Sequence, residues 1–296
     1  MGPMRAAILD VGSNTVRLLV AAQGGRSLKT VHADGTHLGL AADIEQDGWI
    51  SAPKLAEARA LVARYAEMAR EHGAATIEVV VTAPGRQSSN ADALVGALAE
   101  GAGAPVRVLS AEEEGSLAYA GAVGSLSSPT KSVAVCDVGG GSTQLLAGTM
   151  DGPAWMRPLD LGSLRLTMRC LRSDPPTPGE LQLARSEVED VFEALVPPLV
   201  QTVLVTGGSG RALRRLAGRK LTPKELRQCL QLAVSAPSET LAAEHGLQPA
   251  RARTLAAGTL ILIEAQKRFG VPLKVSREGL REGAILSLLS RAAAAA

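Results

Sequence analysis

Ile8-Leu9-Asp10-Val11-Gly12-Ser13-Asn14-Thr15-Val16-Arg17-Leu18-Leu19 and Val135-Cys136-Asp137-Val138-Gly139-Gly140-Gly141-Ser142-Thr143-Gln144-Leu145-Leu146 align without a gap, 127 positions apart. Asp, Gly, a hydroxyl residue and the Leu-Leu pair fall in register. Each copy reads as an apolar strand, a sharp Asp-x-Gly turn of small polar residues, and a second strand, which is the pattern of a β-hairpin with exposed backbone N–H groups at its tip. The echo predicts a duplicated α/β domain with a cleft between the copies.

The segments that follow each hairpin extend the parallel. After the first come an extended stretch over Ser27–Leu40, a helix over Pro53–His72 with Pro near its start, a strand over Thr76–Thr82, a helix from about Ser89, a strand over Pro105–Ser110 and a helix over Glu112–Gly124. After the second come a strand over Ala154–Leu161, helices over Gly162–Leu171 and Pro178–Leu199, a strand over Thr202–Gly207, and helices to the end. The Ser-Ser-Pro stretch within Leu126–Lys131 marks the boundary, giving domains 1–126 and 127–296 with the last helix a candidate to pack back on the first. Ala292–Ala296 is expected to be a frayed helix end.

Composition narrows the classes of function. The chain of 296 residues carries 31 Lys and Arg against 29 Asp and Glu, so no global field calls for nucleic acid or an acidic membrane. Only 2% of residues are aromatic, too few for base-stacking platforms. Cys136, Cys170 and Cys229 are far apart and form no CxxC pair, which suits a reducing compartment. No leader or membrane-length apolar run is apparent, and a cytoplasmic location is expected. The four histidines show no metal spacing; GxSxG and GxxxxGK[ST] are absent, against a serine hydrolase and a P-loop.

Backbone amides at two small-residue tips make anion sites, phosphate above all. Asp10 and Asp137 end their strands beside those tips; Asp caps turns, but a carboxylate next to phosphate also calls for a cation, and Mg²⁺ suits one or two carboxylates plus substrate oxygens. Gly207-Gly208-Ser209-Gly210 follows a strand and opens a helix, a third anion site. On that helix Arg211, Arg214 and Arg215 share one face, with Arg219 and Lys220 just beyond: either a solvated basic face or a track for a polyanion. Glu112, Glu113 and Glu114 begin a helix, where Glu112 and Glu113 suit the macrodipole.

Together these residues resemble the exopolyphosphatase/guanosine pentaphosphate phosphohydrolase family, of the actin, sugar-kinase and heat-shock-ATPase superfamily of duplicated ribonuclease-H-like domains. The resemblance covers nearly the whole chain. Asp10–Thr15 and Asp137–Thr143 match the two phosphate loops, and Thr82-Ala83-Pro84-Gly85-Arg86 with Asn90 the arginine-bearing loop. Ser110–Glu114 with Leu117, Tyr119 and Gly121 matches the catalytic-glutamate helix, followed by Leu161–Leu166 and Gly279–Gly283.

The resemblance implies Glu114 as general base, Arg86 as phosphate-binding arginine and Mg²⁺ or Mn²⁺ at Asp137, with Asp10 the second metal candidate. Gly12, Ser13, Asn14, Thr15, Gly139, Gly140, Gly141, Ser142, Thr143, Gly208, Ser209 and Gly210 are the candidate phosphate contacts. The expected activity is release of terminal phosphate from inorganic polyphosphate, with guanosine pentaphosphate as a further substrate and a homodimer as the assembly. A kinase-type ATPase and a non-catalytic sensor of polyphosphate or guanosine tetraphosphate are the alternatives. Three departures stand out: Gln144 where the family has Glu, Pro84-Gly85 before Arg86, and Arg211 where Thr is common. The absence of an HD-like helical domain implies a preference for short chains.

Overall fold

A computed structural model describes residues 3–24 and 27–294, and it divides into two units: Met1–Ser125 with Leu280–Ala296, and Leu126–Gly279. The first contains, in order, β1 (Arg5–Val11), β2 (Thr15–Gly24), β3 (Ser27–His37), α1 (Leu40–Asp47), α2 (Ala52–Glu71), β4 (Thr76–Val81), α3 (Ala83–Gln87), α4 (Ala91–Ala102), β5 (Val106–Val108) and α5 (Ala111–Gly124). The second contains β6 (Val133–Val138), β7 (Thr143–Thr149), β8 (Gly152–Leu159), α6 (Ser163–Cys170), α7 (Pro178–Phe192), β9 (Thr202–Thr206), α8 (Gly207–Ala217), β10 (Lys220–Leu221), α9 (Pro223–Ala233), α10 (Ser238–His245), α11 (Pro249–Arg253), α12 (Leu255–Phe269) and β11 (Leu273–Val275). The last helix, α13 (Leu280–Ala294), belongs to the first unit. Residues 295 and 296 of the terminal alanine run lie outside the described residues.

The two sheets repeat one plan. The first has the order β3-β2-β1-β4-β5 and the second β10-β11-β9-β6-β7-β8. In each, an antiparallel three-strand meander is joined by parallel strands, β4 beside β1 and β9 beside β6. The sequence echo is a register echo: Asp10 pairs with Arg17 and Asp137 with Gln144, at the same 127-residue offset.

β1 is apolar at nearly every position because both its faces are covered, as is usual for a strand with helices on either side. Ala7, Leu9 and Val11 join the core built with Val62, Tyr65, Leu94 and Leu98 of α2 and α4. Ala6 and Ile8 join the opposite core, which Ala284, Ile285 and Leu289 of α13 complete. In the second unit, Ala134, Cys136 and Val138 of β6 pack with Leu213, Leu260 and Ile261 of α8 and α12. Among the described residues no helix is long and apolar enough to cross a membrane.

Three expected elements differ. Leu40, read as the end of a strand, instead starts α1 behind Gly39, whose φ of 72° turns the chain. The arginine-bearing loop is the short helix α3. The helix expected to reach Leu199 stops at Phe192, because Pro197 has no N–H to donate to the Glu193 carbonyl and its ring clashes there.

Candidate active site

The catalytic candidates of the first unit stand at the carboxyl ends of β1, β4 and β5, the edge where open α/β sheets bind ligands. At the end of β1, the Gly12 N–H donates to the Thr15 carbonyl (3.1 Å) and closes the Ser13-Asn14 tip. The Ser13 carbonyl accepts from Ala41 N–H (2.9 Å), and the Asn14 carbonyl from Leu38 and Gly39 N–H (3.0 and 3.2 Å). A planar trans peptide sends the next N–H the opposite way from its carbonyl, so the Asn14 N–H is directed away from α1. Ser13 and Asn14 are buried, whereas the Thr15 hydroxyl accepts from Arg17 Nε (3.2 Å).

At the end of β4, Thr82 N–H donates to the Val11 carbonyl (3.1 Å) and ties α3 to the loop. Gly85 lets α3 lie on β5: a Cβ there would stand 2.7 Å from Val108 Cγ1. This seats Arg86, whose two terminal nitrogens donate to the Leu109 carbonyl (2.7 Å) and to Glu114 Oε2 (2.8 Å). Glu114 comes from the first turn of α5. There Ser110 and Glu113 form a reciprocal capping box, Ser110 Oγ accepting from Glu113 N–H at 3.1 Å and Glu113 Oε2 from Ser110 N–H at 2.8 Å. Glu113 also pairs with Arg107 and Glu112 is exposed, so only Glu114 of the three acids is buried, at 5% exposure beside a guanidinium.

The second unit repeats the loop with the same closing bond, Gly139 N–H to the Ser142 carbonyl at 3.0 Å. Its carbonyls are taken by α6: Gly139 accepts from Ser163 N–H (2.9 Å), and Gly140 from Leu164 and Arg165 N–H (2.9 and 3.1 Å). Peptide planarity therefore directs the Gly140 and Gly141 N–H groups away from α6, an arrangement suited to an anion. The Thr143 hydroxyl donates to the Leu161 carbonyl (2.6 Å), so Thr143 holds the hairpin to the next turn.

Asp137, 6% exposed, accepts from the Thr206 hydroxyl at 2.7 Å. Across the strand, Gln144 is fully buried, its Nε2 donating to Ser142 Oγ (3.0 Å) and its Oε1 without a hydrogen-bond partner among the described residues. Register partners share a face, so the Asp137 and Gln144 side chains lie on the same side of the hairpin. No group of three or more His, Cys, Asp or Glu side chains suited to a metal occurs among the described residues. A hard, oxygen-only pair fits Mg²⁺, which keeps waters and takes phosphate oxygens. Asp10 instead stands across from the cation of Arg17, which makes it the poorer partner for a metal. Burial pushes the Cys136 thiol beside Asp137 upward, and all three cysteines are buried and unpaired with one another.

The third glycine cluster serves packing as much as binding. Gly207, at φ 82°, bridges to Val138, and a Cβ on Gly210 would stand 2.7 Å from Val205 Cγ1. The Ser209 side chain is buried and turned toward Gly258 of α12, so its hydroxyl is not presented at the helix start. Arg251, which no sequence pattern singled out, lies against Gly208: its place comes from α11, remote in sequence. On α8, Arg215 Nε donates to the His245 carbonyl (2.8 Å) at the end of α10, giving Arg215 a structural role; Arg211 is exposed and Arg214 half-buried.

Comparison with known proteins gives a consistent answer. The model of the Ppx/GppA phosphatase family matches residues 19–292. Exopolyphosphatase 2 of Mycobacterium tuberculosis is 29% identical, over 97% of this chain and 99% of its own. Exopolyphosphatase 1 of Mycobacterium leprae is 28% identical, over 97% and 90%. The crystal structure of the Aquifex aeolicus Ppx/GppA family member superposes with a TM-score of 0.83 at 26% identity, covering 98% of this chain and 99% of that one. An exopolyphosphatase from Cytophaga hutchinsonii, 18% identical, shares the fold with a TM-score of 0.89 over 97% and 98% of the two chains. The duplicated α/β fold expected from the two hairpins, and implied to be actin-like by the resemblance, is thus the fold observed, and the chain belongs to the Ppx/GppA phosphatase family.

Proposed function

We propose that the chain is an exopolyphosphatase that removes terminal phosphate from inorganic polyphosphate. The observation that carries this reading is Glu114: a carboxylate 5% exposed, gripped by Arg86 at 2.8 Å, at the same sheet edge as the Ser13-Asn14 tip. Phosphoryl transfer to water needs charge neutralisation and a positioned nucleophile. Water oxygen attacks the terminal phosphorus, Glu114 takes the water proton, and the bridging oxygen leaves with the shortened chain. A bound phosphate competes for Arg86, which would free the Glu114 carboxylate for the water.

In the second unit the Gly140 and Gly141 amides cradle phosphate oxygens. Asp137, with Gln144 Oε1, would hold Mg²⁺ or Mn²⁺, which neutralises phosphate charge when bound. Phosphate contacts at Asn14 and Gly208 are through backbone, as at any anion-binding turn, whereas the Gly12 and Gly139 N–H groups close their turns on Thr15 and Ser142. The basic face of α8, with Arg211, Arg214 and Arg215, is the track proposed for a longer polyanion. Guanosine pentaphosphate as a further substrate, guanosine tetraphosphate as a ligand, a cytoplasmic location and a homodimer belong to the same proposal. The neutral Gln144 beside Asp137 favours one second reading, a weakly catalytic polyphosphate-binding regulator.

Phosphate release from tripolyphosphate with Mg²⁺ separates the two. The wild type is expected to turn over and to lose activity in chelator, and Glu114→Gln to lose about 10²–10⁴-fold in kcat with binding retained. Full activity in Glu114→Gln with loss in Glu112→Gln would reassign the base; no turnover by the wild type would leave the regulator.

A further inference from the structure

Arg219 and Lys220, just beyond α8, are not absorbed by the reading above, and they line a cavity of about 530 Å³ at the β9-β11-β10 edge of the second unit's sheet. Lys274 of β11 joins them, with Ser127 and Ser128 on the facing segment and Leu204 of β9 as an apolar floor. Val203, Val205, Leu273 and Val275 point into the core on one face of the sheet. Strand alternation therefore puts Leu204 and Lys274 on the other face, where the cavity opens.

Two features set this cavity apart from an ordinary solvated edge. Its lining carries three basic side chains and no acidic one. Lys220 and Lys274 are direct partners in the antiparallel register, a like-charge opposition that is destabilising by itself. Neither amine has an ion-pair partner among the described residues, and Arg219 is held in place by an Nε bond to the Val275 carbonyl at 3.3 Å. Lysines do protect exposed edge strands, but protection needs neither a cavity nor hydroxyls facing the charges.

We propose that this cavity is a second, non-catalytic anion site whose ligand is a short oligophosphate, with Lys220, Lys274 and Arg219 as its cationic grip and Ser127 and Ser128 as hydroxyl donors. An anion between the two ammonium groups turns their repulsion into shared attraction. The volume exceeds the needs of a single phosphate and lies within the range of small-ligand pockets. No aromatic residue lines it, so the phosphate chain and not a nucleobase is recognised.

The test is calorimetric titration of the full chain with tripolyphosphate in chelator, where any cation-dependent phosphate site is silent. One binding event is expected, weakened about tenfold or more for each amine removed in Lys220→Gln/Lys274→Gln, since a hydrogen bond to a charged group is worth about 1.5–3 kcal/mol. The ligand-free double variant should melt no lower than wild type, because a repulsion has been removed, so a lost site is not a lost fold. Glu114→Gln should bind at this site as wild type does. Turnover without lysine-dependent binding overturns the site and leaves the proposed activity standing, and lysine-dependent binding without turnover does the reverse. Equal affinity in wild type and double variant identifies a solvated edge and overturns the site, and tighter binding of ATP than of tripolyphosphate overturns the choice of ligand.

Discussion

Glu180 receives three backbone N–H groups on one carboxylate: Arg172 and Ser173 on Oε1, both at 2.9 Å, and Thr177 on Oε2 at 2.8 Å. The Thr177 and Ser173 backbone bonds lower its pKa from an ordinary 4.5 to about 2. A depressed folded-state value means that the carboxylate stabilises the fold above 4.5 and loses that contribution as pH falls toward about 2. Acid unfolding of wild type and Glu180→Gln is the check: the stability gap at neutral pH should close between those two values, and a gap constant down to pH 2 would exclude the linkage. The acidic trio on α5 shows the other side of residue-scale reasoning. That acids begin this helix is legible from the string Ser110–Glu114, but which one turns inward depends on Arg86 and Leu109, brought in from other elements. Arg251 over Gly208 and the inward Ser209 are invisible for the same reason, since their neighbours are fixed by α11 and α12.

At the scale of the element, the hairpins were the legible part, because both period and turn chemistry are local. The Gly12–Thr15 and Gly139–Ser142 bonds reproduce the echo at 3.1 and 3.0 Å. Short helices were not legible. α3 is five residues containing Pro and Gly, and α1 is eight residues following a strand, so neither fills the window of about 11–18 residues over which a 3.6-residue period can be counted. What aims the second loop is the start of α6, and Gly162 is the contact that permits it: a Cβ there would overlap the Gly140 carbonyl. Gly162→Ala must push that carbonyl aside and re-aim the following amide. The expected result is a stability loss of about 1–3 kcal/mol, as for overpacked cores. It should be accompanied by a fall of about 10²-fold in kcat/KM for tripolyphosphate, the scale of a misplaced binding group. Circular dichroism and phosphate-release kinetics on the same preparation check both, and wild-type kinetics in a folded variant would mean that the Gly140 amide takes no part.

Over the whole molecule, the two units are copies that differ in how they are closed. The second is built from one continuous stretch, Leu126–Gly279, whereas the first takes its final helix from the far end of the chain. α13 supplies Ala284, Ile285 and Leu289 to the core beneath Ala6, Ile8 and Val80, a face of the first sheet against which Leu117 of α5 also packs. The approach is close because Gly283 lies against α5, where a Cβ would overlap the Leu117 carbonyl. Arg291, on the same helix, reaches the buried Glu78 at 2.8 Å. Gly283→Ala should therefore act on the first unit although it sits near the end of the chain. Overpacking at a backbone contact costs about 1–3 kcal/mol, and each kcal/mol shifts Tm by about 2–4 °C in domains of roughly 150–250 residues. Hydrogen exchange distinguishes where the loss falls: amides of β1 and α5 should lose protection in Gly283→Ala, while those of β6 and β9 keep it. Equal loss in both sheets would mean that the units unfold as one, and that the return of α13 is not what limits the stability of the first.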